Sequence, residues 1–173
     1  SACAKWNVDA TTLFDGVSQF VYPYFLFIDR NNTIYMLSYQ AEVFVWHNET
    51  SNPTRTIINR IDVLHGLFVS STGDIYISHG KTSTVQKWVT TTNTLETVAR
   101  FRGVINGIFI ALNDVLYCSL STNQIVTKSL DNNSFLVEVV AGIGISGSEL
   151  HQLNRPMGIF VTENFDLYVA DSQ

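Results

Sequence analysis

Two histidines, His65 and His79, are the side chains of this sequence best suited to acid–base or metal chemistry. Imidazole exchanges protons near neutral pH and ligates metals such as zinc. The apolar runs at 66–69 and 75–78, with a Ser-Thr-Gly-Asp turn at 71–74, predict a tight hairpin between the two histidines. Since the strands of a hairpin are antiparallel, the residue entering the first strand and the residue leaving the second lie near the same end. His65 and His79 are therefore candidates for a catalytic pair or for a zinc or calcium site.

Three Asn-X-Ser/Thr tripeptides could accept N-linked glycans, at Asn31, Asn48 and Asn132. All three fall in segments whose composition predicts turns. The chain begins at Ser1 rather than at a methionine, which we interpret as a processed mature chain or an excised fragment. Together these features favour a secreted or cell-surface glycoprotein.

The composition is that of a folded domain without a nucleic-acid or membrane surface. Of 173 residues, 46% are hydrophobic and 14% are charged, so a substantial core can form. Acidic residues outnumber Lys and Arg by 15 to 10, and no basic patch interrupts this balance. No apolar run approaches the length of a membrane span. We therefore expect no nucleic-acid partner and no membrane segment.

A repeated phrase determines the predicted fold class. An apolar pair containing Phe is followed by a turn and then by a second apolar pair ending in Tyr, and the four tyrosines are spaced by 41, 41 and 51 residues. These tyrosines are Tyr35, Tyr76, Tyr117 and Tyr168. Such a period is typical of repeats built from one small sheet each.

Each complete repeat contains four segments with the pattern of a β-strand. In the second repeat they lie at 66–69, 75–78, 84–89 and 96–99, and the third alternates apolar and polar residues. Four-stranded antiparallel units with a period near 40 residues are best accommodated as blades around a central axis. A sandwich would not need this register, and a β-helix would use a shorter repeat. The sequence predicts an all-β propeller.

The other reactive side chains favour structural roles. Cys118 occupies a position that is apolar in the other repeats, which predicts a buried small hydrophobe. Cys3 precedes the first repeat. The sequence allows two disulfide partners for it, Cys118 or a cysteine beyond residue 173. The sequence predicts that Glu149 and His151 are solvated loop residues. The sequence has no nucleophile elbow, phosphate-binding loop or Cys/His metal spacing.

The last repeat resembles the NHL repeat. The resemblance is carried by the phrase at 158–171, Gly-Ile-Phe-Val, four residues, then Leu-Tyr-Val-Ala-Asp, and by the linker at 141–156 that ends in Gln-Leu-Asn-Arg-Pro. It implies a β-propeller, commonly of six blades. The glycine that we expect to open the inner strand is present as Gly66, Gly107 and Gly158, but Phe25 stands in the first repeat. The family's two aspartates survive only as Asp29 and Asp171, and we expect a hydrogen-bonding role for Asp171.

The predicted organisation is a single propeller segment covering residues 1–173, with about three and a half blades of a larger ring. Its parts are an N-terminal segment at 1–23, blade 1 at 24–64, blade 2 at 65–105, blade 3 with a long linker at 106–156, and half of blade 4 at 157–173. Residues 11–14 resemble the outer strand that precedes a blade. We expect this strand to close the ring by pairing with a later blade.

NHL-like propellers include a peptide-amidating lyase that uses metal and histidines at the central channel, and platforms that recognise protein or RNA. No motif of those enzymes carries over residue by residue, and no other repeat has His, Asp or Glu where His65 stands. We therefore favour two exposed loop histidines and a non-catalytic scaffold without a cofactor, which recognises a protein or glycan through blade-end loops. The alternative is a metal-assisted lyase or hydrolase, with zinc or calcium at His65 and His79.

Overall fold

The computed structural model describes residues 22–39, 42–47, 55–58, 64–89, 92, 94–131 and 136–172. Every regular element in these ranges is a β-strand. The first sheet contains β1 (Pro23–Ile28), β2 (Ile34–Ser38), β3 (Glu42–Trp46) and β4 (Arg55–Ile58). The second contains β5 (Leu64–Val69), β6 (Ile75–His79), β7 (Thr84–Val89) and β8 (Thr94–Arg100). The third contains β9 (Ile105–Ile110), β10 (Val115–Leu120), β11 (Gln124–Ser129) and β12 (Val137–Ala141), and the fourth β13 (Pro156–Val161) and β14 (Leu167–Asp171).

Each sheet is an antiparallel meander in which strands adjacent in sequence are adjacent in space. This confirms the expectation of four-stranded antiparallel units, and the last unit has two strands in the described part of the chain. We call the four sheets blades 1 to 4. The described residues form no helix with the length and apolarity that a membrane span requires.

The first strands of the blades, β1, β5, β9 and β13, lie side by side and form the inner surface of the arc. Apolar side chains fill the space between successive blades: one cluster joins blades 1 and 2, including Leu37 and Leu67, and another joins blades 2 and 3, including Ile105 and Leu116. All four of these side chains are almost fully buried. Burial of both faces of a sheet against its neighbours is the source of stability in such an arrangement.

One phenylalanine of each inner strand stacks on its equivalent in the next blade. The ring centroids of Phe27 and Phe68 lie 5.3 Å apart, those of Phe68 and Phe109 5.0 Å, and those of Phe109 and Phe160 5.4 Å. All three contacts are edge-to-face, the geometry that aromatic quadrupoles favour. The repeated Phe of the sequence thus forms a continuous aromatic ladder along the inner surface.

The inner strands begin earlier than the sequence predicts. Gly66, expected to open its strand, is the third residue of β5, and Gly107 and Gly158 hold the same place in β9 and β13. The cause is a β-bulge near the start of each inner strand: Leu64 pairs with His79 and Gly66 with Ser78, so His65 has no partner residue in the ladder. A bulge lets pairing resume beyond an extra residue, and so extends the strand.

The glycine after the bulge is required by close packing. At Gly107 a β-carbon would collide with the backbone carbonyl oxygen of Met157 in the next blade. At Gly158, where the described chain has no following blade, the nearest atom to a β-carbon would be the Ala170 methyl at 3.8 Å. The repeated glycine therefore permits the backbones of adjacent blades to approach.

Cys118 has the environment that the sequence predicts. Its side chain is fully buried and its thiol is free, and burial raises its pKa well above the ordinary range. Cys3, the expected closing strand at 11–14, Asn48 and Asn132 lie outside the described residues.

Candidate functional site

The hairpin turns between the first and second strands of the four blades surround a cavity of about 520 Å³. We call it the hairpin-end cavity. The aromatic ladder lies along its inner wall, and the rim consists of the turn residues. Rim side chains include Asp29, Arg30, Thr72, Asp114 and Glu163. The cavity therefore combines an apolar wall with hydroxyl, carboxylate and guanidinium groups, the mixture typical of ligand sites.

The rim is held by the same capping geometry in successive turns. Asp29, Ser70, Ala111 and Thr162 occupy equivalent positions, and each closes its turn by a backbone hydrogen bond. Oδ1 of Asp29 accepts hydrogen bonds from the backbone N–H groups of Asn31 and Thr33, both at 2.8 Å. Hydroxyls replace this carboxylate in two turns, since Oγ of Ser70 accepts from Asp74 N–H and Oγ1 of Thr162 from Asp166 N–H.

This geometry explains why an aspartate is not needed at each of these positions. A Ser or Thr hydroxyl can bond the backbone two or more residues on, as an Asp carboxylate does. Ser70 and Thr162 thus replace the aspartate in blades 2 and 4, whereas the turn at Ala111 is closed by backbone hydrogen bonds alone. The position has a structural role in presenting the rim.

Ionisable side chains near the hairpin turns make local contacts. Lys87 Nζ donates to Oδ2 of Asp74 at 2.8 Å, and the amine lies 5.7 Å from the centre of the Tyr76 ring. This hydrogen bond raises the pKa of Lys87. In the first turn, burial and then the Asp29 carboxylate raise the pKa of Tyr35, whose hydroxyl donates to Asp29 Oδ2 at 3.4 Å. The rim itself is polar and acidic, since the carboxylates of Asp29, Asp114 and Glu163 outnumber the single guanidinium of Arg30.

The bulges lie at the opposite end of the inner strands, beside a second cavity of about 350 Å³. We call it the bulge-end cavity. Bulged residues of all four blades, Tyr24, His65, Asn106 and Met157, line it. Val104, Ser121 and Arg155 complete the lining. A bulge releases a side chain from the regular alternation of its strand. Here one bulged residue from each of the four blades lines the same cavity.

Two bulged side chains bond the backbone of the following blade. Nδ1 of His65 lies 3.1 Å from the carbonyl oxygen of Ile105, and Nδ2 of Asn106 donates to the carbonyl oxygen of Pro156 at 2.9 Å. The two acceptors are equivalent, since each precedes the bulged residue of its own blade. Because a carbonyl oxygen only accepts, Nδ1 of His65 must carry the proton.

His65 and His79 lie at the same end of blade 2, but not as exposed loop residues. Leu64 pairs with His79, so the expected juxtaposition of the two histidines at one end of the hairpin is present. His65 is half-buried beside the cavity, whereas His79 is 4% exposed and belongs to β6. The expectation of two exposed loop histidines is therefore wrong, because the strands extend over both positions. Among the described residues, no group of three or more His, Cys, Asp and Glu side chains could hold a metal ion.

Other residues singled out in the sequence have simple environments. Asp171 Oδ1 accepts a hydrogen bond from the backbone N–H of Asn154 at 2.7 Å, the role expected of it. Glu149 and His151 are exposed in the linker. Asn31 is exposed in the first hairpin turn and lines the hairpin-end cavity.

Sequence reasoning missed Asn106 and Arg155. Asn106 could have been found, because it precedes the repeated glycine as His65 does. Arg155 carries no repeat signal, since it belongs to the longer linker that separates blades 3 and 4. Its proximity to His65 depends on the curvature of the blade arc.

The arrangement is similar to solved β-propellers. A streptogramin B lyase structure matches with a TM-score of 0.67 and 14% identity, covering 87% of this chain and 48% of that one. Virginiamycin B lyase from Staphylococcus aureus matches at 0.67 and 12%, covering 90% and 50%. The β-propeller domain of Cps50 (Swd1) from Myceliophteria thermophila matches at 0.66 and 14%, covering 88% and 49%. No protein-family model and no curated protein sequence matches this chain.

The chain is a β-propeller segment. It spans about half the length of these solved structures. Identities of 12–14% establish the shared fold alone. The neighbours include both lyases and a propeller domain that is not described as an enzyme.

Proposed function

We propose that this chain is part of an NHL-type propeller that acts as a non-catalytic binding module for a protein or glycan partner. The observation that carries the proposal is the hairpin-end cavity, whose rim is built from turns with side-chain caps in blades 1, 2 and 4. Rigid loops lose little conformational entropy when a partner binds. The repeated sheets position the turns, and the turn side chains supply the groups that contact the partner.

The rim offers the partner both apolar and polar contacts. Leu112 is 60% exposed at the rim, and the aromatic ladder lies behind it. Thr72, Asp114 and Glu163 provide hydroxyl and carboxylate oxygens around the same opening. Hydroxyl-rich glycans and polar protein loops both match such a surface, through hydrogen bonds at the rim and apolar contact at the wall.

Binding at this end is tested with two matched variants. Leu112→Arg places a long cation on the rim, whereas Glu138→Arg places one on the exposed outer strand β12, at the opposite edge of the sheet from the inner strand β9. We expect a glycan array, or capture of a partner from conditioned medium, to give a signal that Leu112→Arg abolishes and Glu138→Arg retains. Equal signals from the two variants, or no signal with either ligand class, would contradict the proposal.

We also propose that the protein is extracellular or exposed at the cell surface. Asn31 supports this, because it is exposed in a turn and is followed by Asn32 and Thr33. Expression in a secreting eukaryotic host should yield a glycan at Asn31 that Asn31→Gln removes, as measured by mass spectrometry of the tryptic peptides. An unmodified Asn31 in secreted material would argue against this compartment.

A closed ring larger than the described arc is part of the same proposal. Its support is that the chain spans about half of the solved propellers that it resembles. The NHL resemblance favours six blades. Electron microscopy of the longest natural form should show a closed ring, and the number of its blades tests this expectation directly.

The second candidate is a metal-assisted lyase or hydrolase at the bulge end. His65 favours it, because protonation of Nδ1 leaves Nε2 as the ring nitrogen with a free lone pair beside a cavity. Mass-spectrometric metal analysis of the purified protein distinguishes the two functions. Stoichiometric zinc or calcium that is lost in His65→Phe would favour the enzyme over the binding module.

A further inference from the structure

We propose that the bulge-end cavity binds a small hydroxycarboxylate, an organic acid with a hydroxyl group close to its carboxylate. This site is at the opposite end of the inner strands from the hairpin-end cavity, so it goes beyond the proposed partner site. The cavity volume of about 350 Å³ lies at the small end of the range of ligand sites and has room for a ligand of a few carbon atoms. Each part of the ligand has a counterpart among the lining residues.

His65 supplies a hydrogen-bond acceptor in a set orientation. Donation from Nδ1–H to the Ile105 carbonyl selects the tautomer whose Nε2 accepts. The ring lies against Gly80, where even a β-carbon would come within 2.5 Å of the imidazole. The imidazole thus presents Nε2 to a ligand group that donates a hydrogen bond, and a hydroxyl group meets this requirement.

Arg155 supplies a positive charge on a constrained backbone. Its φ is 56°, in the left-handed region that is costly for a residue with a side chain. Its N–H donates to Asn123 Oδ1 at 3.0 Å, and its carbonyl accepts from Ser172 Oγ at 2.9 Å. These two hydrogen bonds hold the Arg155 backbone in this conformation beside the cavity.

The guanidinium has no competing carboxylate in the cavity. None of the described lining residues is acidic, although the protein as a whole carries a formal charge of −5. Arg155 forms no ion pair with the described residues. A guanidinium without a protein partner is suited to bidentate binding of a carboxylate.

Ser121 and Asn106 add donors to this carboxylate site. Oγ of Ser121 accepts the backbone N–H of Val104 at 3.0 Å, so its own proton is available to donate to a ligand. Asn106 uses one amide hydrogen on the Pro156 carbonyl and has a second. The cavity therefore offers several donors beside the Nε2 acceptor of His65, the complement of a carboxylate next to a hydroxyl.

The test compares malate with succinate, which lacks only the hydroxyl group, by titration followed in ¹H–¹⁵N NMR spectra. We expect saturable shifts at the cavity residues, with malate bound at least about 5-fold more tightly, since one hydrogen bond is worth roughly that ratio. Arg155→Gln should lower the affinity for both acids at least about 10-fold. The matched control Arg30→Gln, at the other end of the inner strands, should change neither affinity.

His65→Phe isolates the hydroxyl contact, because phenylalanine keeps an aromatic ring next to Gly80 but has no acceptor. We expect this variant to bind malate and succinate equally. If it does not fold, the malate preference of the wild-type protein and the effect of Arg155→Gln still decide the matter. Absence of saturable binding, equal affinity for the two acids in the wild-type protein, or equal competition by inorganic phosphate would overturn the proposal.

Discussion

Arg30 and Glu163 form an ion pair across the hairpin-end cavity, with 3.7 Å between Nη2 and Oε1, although they belong to blades 1 and 4. Blades 2 and 3 lie between them along the arc. The side chains are 78% and 81% exposed. The pair therefore bridges the opening without being part of the core.

Removing this bridge should leave stability unchanged. An exposed pair of long side chains gains little, because water and salt screen the attraction. For Glu163→Gln we expect a melting temperature within about 2 °C of the wild type at low and at high salt. Differential scanning fluorimetry gives the measurement, and a much larger decrease would mean that the pair stabilises the curvature of the arc.

Glycine substitutions test the approach of adjacent blades. Gly107→Ala should lower the free energy of unfolding by about 2 kcal/mol, because the new methyl group would collide with the Met157 carbonyl. Gly158→Ala is the matched control, with its nearest atom at 3.8 Å, and should change stability by less than about 0.5 kcal/mol. Urea unfolding measures both. Equal effects would show that blades 3 and 4 do not approach as described.

A pair of equivalent serines tests the hydrogen bonds between blades. Ser119 Oγ donates to the Met157 carbonyl at 2.5 Å, whereas Ser78 Oγ is buried and has no hydrogen-bond partner in the described part of the chain. Ser119→Ala should therefore cost about 1 kcal/mol, and Ser78→Ala should be neutral or stabilising. Chemical denaturation of the two variants gives the comparison. A larger loss at Ser78 would indicate a partner for its hydroxyl.

The raised pKa of the Cys118 thiol predicts a loss of stability at alkaline pH. Burial raises the pKa of its thiol in the folded state, so above roughly pH 8.5 the unfolded chain loses this proton while the native chain keeps it. The unfolded state then binds fewer protons, and stability falls as pH rises. Cys118→Val, which has the residue found at the equivalent position 169, should lose less stability between pH 8 and pH 10. Superimposable pH profiles would contradict this account.

Much of the fold was predictable because its signals are local. The apolar pairs around Phe68 and Tyr76, with Gly73 in the turn between them, predict a hairpin wherever that segment lies. The period of 41 residues extends this prediction to the neighbouring blades. The start of β5 was predicted two residues late, since the bulge at His65 depends on pairing with His79 and Ser78.

The sequence by itself determined the repeat, the four-stranded units, the propeller and the two candidate histidines, since alternation, turn chemistry and period lie within the segments that they describe. Only the tertiary structure decided that His65 bonds Ile105, forty residues later, and shares a cavity with Arg155. These contacts join different blades, so they depend on how successive sheets stack and curve. That stacking follows from burial of the faces between blades, which the pattern of any one blade does not specify.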